Sequence, residues 1–169
     1  MVSQAQRDAV RRAYRFQCGY CGVHENEAGS ELEIDHYQPL ASSGTDDEAN
    51  LVYACPTCNK VKGDFWAQAD TLRRILHPQR DHLTEHLREL TDGRLEPLTL
   101  TGEFHLRRLR LNRPQLITLR QARGRASQDT ARIAELESSL DEMRRDVSSL
   151  ETRLDELLDR IHRLTGQNE

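Results

Sequence analysis

Cys18-Gly-Tyr-Cys21 and Cys55-Pro-Thr-Cys58 hold all four cysteines of the chain, and 33 residues separate Cys21 from Cys55. Two CxxC knuckles supply a tetrahedral four-thiolate site with no open position, the arrangement zinc prefers when its role is structural. A redox dithiol is the alternative, and the presence of two matched pairs argues against it. The segment Met1-Val-Ser-Gln runs into an arginine-bearing polar stretch, so no signal peptide is expected. No stretch approaches 18 apolar residues, so no membrane span is expected. A reducing, cytoplasmic setting is expected, in which these cysteines serve as metal ligands rather than disulfides.

A metal also answers a shortage. The 169 residues are 36% hydrophobic, 5% aromatic and 31% charged, which is thin for one globule. A small core helped by zinc, with an extended solvated segment elsewhere, fits that composition.

The elements follow from periodicity. Ser3 caps an expected helix over 3–16, with Ala9, Val10, Ala13 and Phe16 at helical spacing. Glu31 to Tyr37 alternates as a strand, with Leu32, Ile34 and His36 on one face and Asp35 on the other. A polar loop follows, then a strand over Leu51–Cys55, then a helix from Pro56 carrying Cys58, Asn59 and Lys62. Beyond Trp66, residues 67–77 read as helical, and Asp81 as the cap of a short helix with Leu83, Leu87 and Leu90 inward. Asp92-Gly93 and Thr101-Gly102 read as turns flanking a strand pair, 94–100 and 103–109. Asn112 reads as a helix cap with Pro114 in the first turn, and Gly124 as a break.

The tail carries a second strong pattern. Ile133, Leu140, Val147, Leu154 and Ile161 recur every seven residues, and Leu136, Met143, Leu150, Leu157 and Leu164 follow each by three. All ten a and d positions are apolar, which predicts a coiled coil. β-branched residues at three a positions and Leu at four d positions favour a parallel homodimer. No polar a residue fixes the register, so an antiparallel pair, a trimer or a hetero-partner helix stays open, as does an amphipathic helix folded back on its own domain.

Between the knuckles lie residues with chemistry of their own. Asp35 is a hard oxygen ligand suited to Mg²⁺ or Mn²⁺. His36 is the natural general base, because imidazole titrates near neutrality. Asn59 follows the last thiol and would share a metal with Asp35 if zinc pins its helix beside the first strand. Asn50 would hold the His36 imidazole in orientation. Asp35 and His36 project to opposite faces of a regular strand, so a distorted strand end or an adjacent loop must bring them to one cleft.

The series Cys18-x-x-Cys21-Gly22, Leu32-Glu-Ile-Asp35-His36-x-x-Pro39, Gly44, Asn50-Leu51, Cys55-x-x-Cys58-Asn59-x-x-Lys62-Gly63 resembles the HNH endonuclease family, in its McrA-like branch with a four-cysteine zinc site. The resemblance implies an α+β fold with a ββα-metal (His-Me) finger. It implies His36 as general base, Asp35 and Asn59 as ligands of a catalytic Mg²⁺ or Mn²⁺, and Asn50 as the residue orienting His36. Asn59 stands where other members carry His, and as a weaker ligand it would alter metal preference. The implied reaction is metal-assisted phosphodiester hydrolysis leaving a 5′-phosphate and a 3′-hydroxyl.

A net charge of −4 hides a basic stretch from His105 to Arg125 with seven arginines and no acid, while 11 acids face 6 arginines from Ser127 onward. Lys60, Lys62, Arg107, Arg108, Arg110, Arg113 and Arg120 are therefore expected contacts to a DNA backbone. The expected organisation is a nuclease core over 1–66, an α-rich extension over 67–124 and a coiled coil over 125–166. The expected substrate is double-stranded DNA, nicked or cut through by a coiled-coil dimer. A zinc-knuckle DNA-binding or scaffold protein without catalysis is the alternative, and an RNA-cleaving relative differs in substrate alone.

Overall fold

The computed structural model describes residues 2–68 and 71–165, with side chains given as far as 163. Contacts divide the chain into two units, 1–121 and 122–169.

The first unit opens with helix α1, Gln4–Ala13. Ser3 closes a capping box with Gln6, each accepting from the other's backbone N–H at 3.3 and 2.9 Å, which satisfies two donors the helix leaves open. Val10 is buried and faces the strand pair. A short helix α2, Glu25–Ala28, follows the first knuckle. Strands β1, Glu33–His36, and β2, Leu51–Ala54, pair antiparallel with Glu33 opposite Ala54 and His36 opposite Leu51. Helix α3, Pro56–Lys62, starts from Cys55 as its N-cap. Strand, loop, strand and helix thus appear in the order and at the places the sequence predicts.

Glu25 joins these pieces. Its carboxylate takes the Arg11 guanidinium on both oxygens at 2.6 and 2.7 Å and accepts from the Tyr53 hydroxyl, which itself accepts from Leu32 N–H at 2.8 Å. The apolar core is β2 together with Val10, Leu32, Leu109, Leu111 and Leu116. The turn over 109–116 therefore shares the core of the cysteine-bearing segment.

Several expectations beyond Trp66 are overturned. The described residues between 67 and 77 form no helix. Ile75 and Leu76 bond to side chains instead: Ile75 C=O accepts from Tyr37 Oη, and Leu76 N–H donates to His105 Nδ1 at 2.9 Å. Asp81 caps nothing, because its carboxylate accepts from Arg74 at 2.6 and 2.8 Å and from His77 N–H at 2.7 Å. Helix α4 is a single turn, Leu83–His86, and Leu87 starts a strand. The hairpin pairs β3, Leu87–Glu89, with β4, Leu95–Pro97, across the Asp92-Gly93 turn, where Gly93 has φ 78°.

The expected second strand is helix α5, Leu100–Arg108. Thr99 caps it by accepting from Gly102 N–H at 3.0 Å. Gly102 is a close approach rather than a turn, since a Cβ there would lie 2.1 Å from His86 O. Asn112 accepts from Leu95 N–H at 2.7 Å and donates to Leu95 C=O at 2.8 Å, so it anchors the hairpin and caps no helix. Arg113 C=O takes the first bonds of helix α6, Pro114–Thr165. Gly124 lies within α6 and breaks nothing.

The second unit is the remainder of α6. Its a and d side chains from Ile133 to Ile161 are exposed. Leu164 lies outside the described side chains. Among the described residues no helix is long and apolar enough to cross a membrane.

Candidate functional site

Each knuckle is built by local hydrogen bonds. Gly22 N–H returns to Cys18 C=O at 2.8 Å and Cys18 N–H to Val23 C=O at 2.8 Å, while Gly19 N–H reaches across to Tyr53 C=O on β2 at 2.8 Å. Cys58 N–H points at Cys55 Sγ, 3.4 Å away, as α3 begins. The four sulfurs end within 4.8 Å of one another. A soft, closed S₄ donor set of that size fits tetrahedral zinc. These residues would hold it, and its contribution would be to the fold.

On the face of β1 toward α3, Asp35 is 7% exposed and Lys62 1%. Lys62 Nζ donates to Asp35 Oδ1 at 2.9 Å and to His36 C=O at 2.7 Å, and Tyr20 Oη donates to Asp35 Oδ2 at 2.6 Å. Burial pushes the Asp35 carboxyl above its ordinary value, and Lys62 and Tyr20 pull it back. Asn59 turns to a different carboxylate, donating to Glu33 Oε2 at 2.7 Å. Asp35 and Asn59 are thus on the same face but hold separate partners. With both Asp35 oxygens engaged, the pair does not fit a divalent ion as arranged.

His36 projects to the other side. Its Nε2 lies 2.8 Å from Asp46 Oδ1. A carboxylate partner fixes the proton on Nε2 and leaves Nδ1 as the basic nitrogen. Asn50 touches the neighbours of His36 rather than its ring. Its Oδ1 accepts from Gln38 N–H at 2.8 Å, and its Nδ2 donates to Gln38 C=O at 3.0 Å and to Thr45 C=O at 2.8 Å. Asn50 therefore pins both the end of β1 and the loop that delivers Asp46. Gly44 lets that loop close, because a Cβ there would lie 1.8 Å from Gln38 O.

The seven expected backbone contacts separate. Lys62 is sealed against Asp35. Arg120 is 8% exposed and donates to Gly93 C=O at 2.6 Å and Leu111 C=O at 2.7 Å. Arg113 lies against the sulfurs. Lys60, Arg107, Arg108 and Arg110 line a cleft of about 1190 Å³ between α3 and α5, joined by Arg73. Among the described residues Glu103 is its one acid, 3.3 Å from Arg107. The residues that sequence reasoning missed are Tyr20, Glu33, Asp46 and Arg73. Helical spacing from Cys58 does place Lys62 inward, but nothing local signals Asp46.

No curated protein and no solved structure matches the chain. Residues 18–65 match the family model described as HNH endonuclease, so this segment is an HNH-type domain whose four cysteines are placed to bind one metal ion.

Proposed function

We propose that the protein is an endonuclease that hydrolyses DNA phosphodiester bonds, with His36 as the general base. The observation that carries this reading is the His36–Asp46 pair at 2.8 Å, held from both ends by Asn50, inside a segment of HNH type. Asp46 orients the imidazole and stabilises the imidazolium formed when Nδ1 takes a proton from water. The hydroxide so formed attacks phosphorus in line, the bond from phosphorus to the 3′ oxygen breaks, and that oxygen leaves and takes up a proton, giving a 3′-hydroxyl and a 5′-phosphate. Lys60, Arg73, Arg107, Arg108 and Arg110 offer a cationic track for flanking phosphates. The a and d face of α6 joins two copies, so that two single-strand sites act on one duplex.

The resemblance implies an activating Mg²⁺ or Mn²⁺. A supercoiled plasmid is therefore incubated with each ion and with chelator, using wild type and His36→Ala. Nicking or linearisation that falls at least about 100-fold in the variant is the expected result. Equal cutting by both proteins would remove His36 from the chemistry. A second reading has its own support: the sealing of Asp35 by Lys62 and Tyr20 favours a zinc-knuckle DNA-binding protein without catalysis. Retarded DNA with no cleavage under any ion would select it.

A further inference from the structure

Arg113 lies outside the segment of HNH type, yet its guanidinium faces that segment's sulfurs. Nη2 is 3.6 Å from Cys58 Sγ, 3.8 Å from Cys55 Sγ and 3.9 Å from Cys21 Sγ, and Nη1 is 3.7 Å from Cys58 Sγ. Nη1 is also held by Leu109 C=O and Arg110 C=O, both at 3.4 Å. The backbone that presents it is anchored on both sides by buried Leu109, Leu111 and Leu116. Arg110 within that turn has φ 50°, a conformation that costs a non-glycine residue about 1–2 kcal/mol and persists where its surroundings impose it.

Zinc with four thiolates carries a net charge of −2, and burying that charge is unfavourable unless cations or donors offset it. A guanidinium is suited to the task. It stays charged, and its planar fork presents several N–H groups at once, so a single side chain reaches three sulfurs. N–H groups donating to sulfur withdraw electron density. Each thiolate then becomes less basic and less ready to leave the metal for a proton or to attack an electrophile.

We infer that Arg113 is a charge-compensating clamp on the thiolate site, and that it makes zinc retention depend on the docking of the 109–116 turn. The inference rests on the zinc reading of the cysteines and not on nuclease activity. Lysine at the same position would keep the charge but could not span three sulfurs.

The test uses the full chain. Zinc per protein is measured first in wild type, and a wild type without bound zinc overturns both the metal reading and the clamp. Release to a chromogenic chelator is then followed for wild type, Arg113→Gln, Arg113→Lys and the exposed control Arg12→Gln. The expected result is release about 10–100-fold faster in Arg113→Gln, a smaller increase in Arg113→Lys and none in the control. In the Co²⁺-substituted protein, sulfurs freed of donors are more easily oxidised. The sulfur-to-cobalt charge-transfer band should therefore move to longer wavelength while the tetrahedral d–d bands persist. Equal release rates and an unmoved band in Arg113→Gln would overturn the clamp. If that variant fails to fold, Arg113→Lys decides: zinc held as in wild type, with an unmoved band, overturns it too.

Discussion

Lys62 is the residue whose placement most changes the reading of the site. An ammonium and a carboxylate buried together gain little over an apolar pair, because desolvation offsets their attraction, but removing one partner strands the other. Lys62→Met should therefore cost about 3–5 kcal/mol, measured by denaturant unfolding. Adding Asp35→Asn should recover part of that loss, since the stranded charge is gone. A Lys62→Met protein as stable as wild type would show that Asp35 is satisfied by Tyr20 alone. The same logic separates Lys62 from Lys60, two residues earlier in the same helix. Lys60 lines an open cleft and Lys62 is a buried counter-ion, although the sequence presents both as basic residues after a knuckle.

At the scale of elements, α5 places a buried histidine where sequence patterning expects a strand. His105 Nδ1 accepts from Leu76 N–H at 2.9 Å, so the proton sits on Nε2, which has no partner among the described residues. Burial pushes the imidazole down to about 3 from an ordinary 6.5. A depressed value means that the folded chain keeps His105 neutral while the unfolded chain takes up a proton below 6.5. Its contribution is present above that pH and is lost as pH falls toward about 3, at up to about 1.4 kcal/mol per unit. The melting temperature of wild type should fall more steeply between pH 6.5 and 4 than that of His105→Gln; parallel curves would mean that His105 is not neutral in the fold. What was legible divides along the same line. Between Ser3 and Lys62, helix α1, strands β1 and β2 and helix α3 could be read because caps, alternation and knuckles are local signals, whereas α2 was not expected and α1 ends at Ala13 rather than at residue 16. Over residues 71–109 the Asp92-Gly93 turn and the strand after it could be read, but the 71–77 segment and helix α5 could not, because Ile75, Leu76 and Gly102 are set by partners far along the chain, Tyr37, His105 and His86. At the site, the thiol cluster was fixed by spacing alone. The partners of Asp35, His36 and Asn59 depend on side chains from other elements, and spacing does not carry them.

At the scale of the whole molecule, the question is what covers the apolar stripe of α6. Ile133, Leu140, Val147, Leu154 and Ile161 are between 50% and 57% exposed, and the d residues between them are between 49% and 62% exposed. A stripe this long and this exposed on one helix, with a narrow a/d seam, is the kind that a second helix covers. The charged residues flanking it form exposed pairs within the helix, Arg132 with Glu135 and Arg144 with Asp141, which support the helix by a few tenths of a kcal/mol and leave the stripe bare. Truncation after Gly124 removes the stripe and keeps the first unit, including Arg113 and the four thiols. The truncated protein should scatter light as a monomer, retain its zinc and nick plasmid, whereas the full chain should scatter as a dimer. The full chain should also yield linear plasmid before nicking is complete, because two sites held together reach the second strand before the duplex dissociates. Equal subunit counts in the two proteins would assign the stripe to another chain and leave the nuclease reading to the plasmid assay.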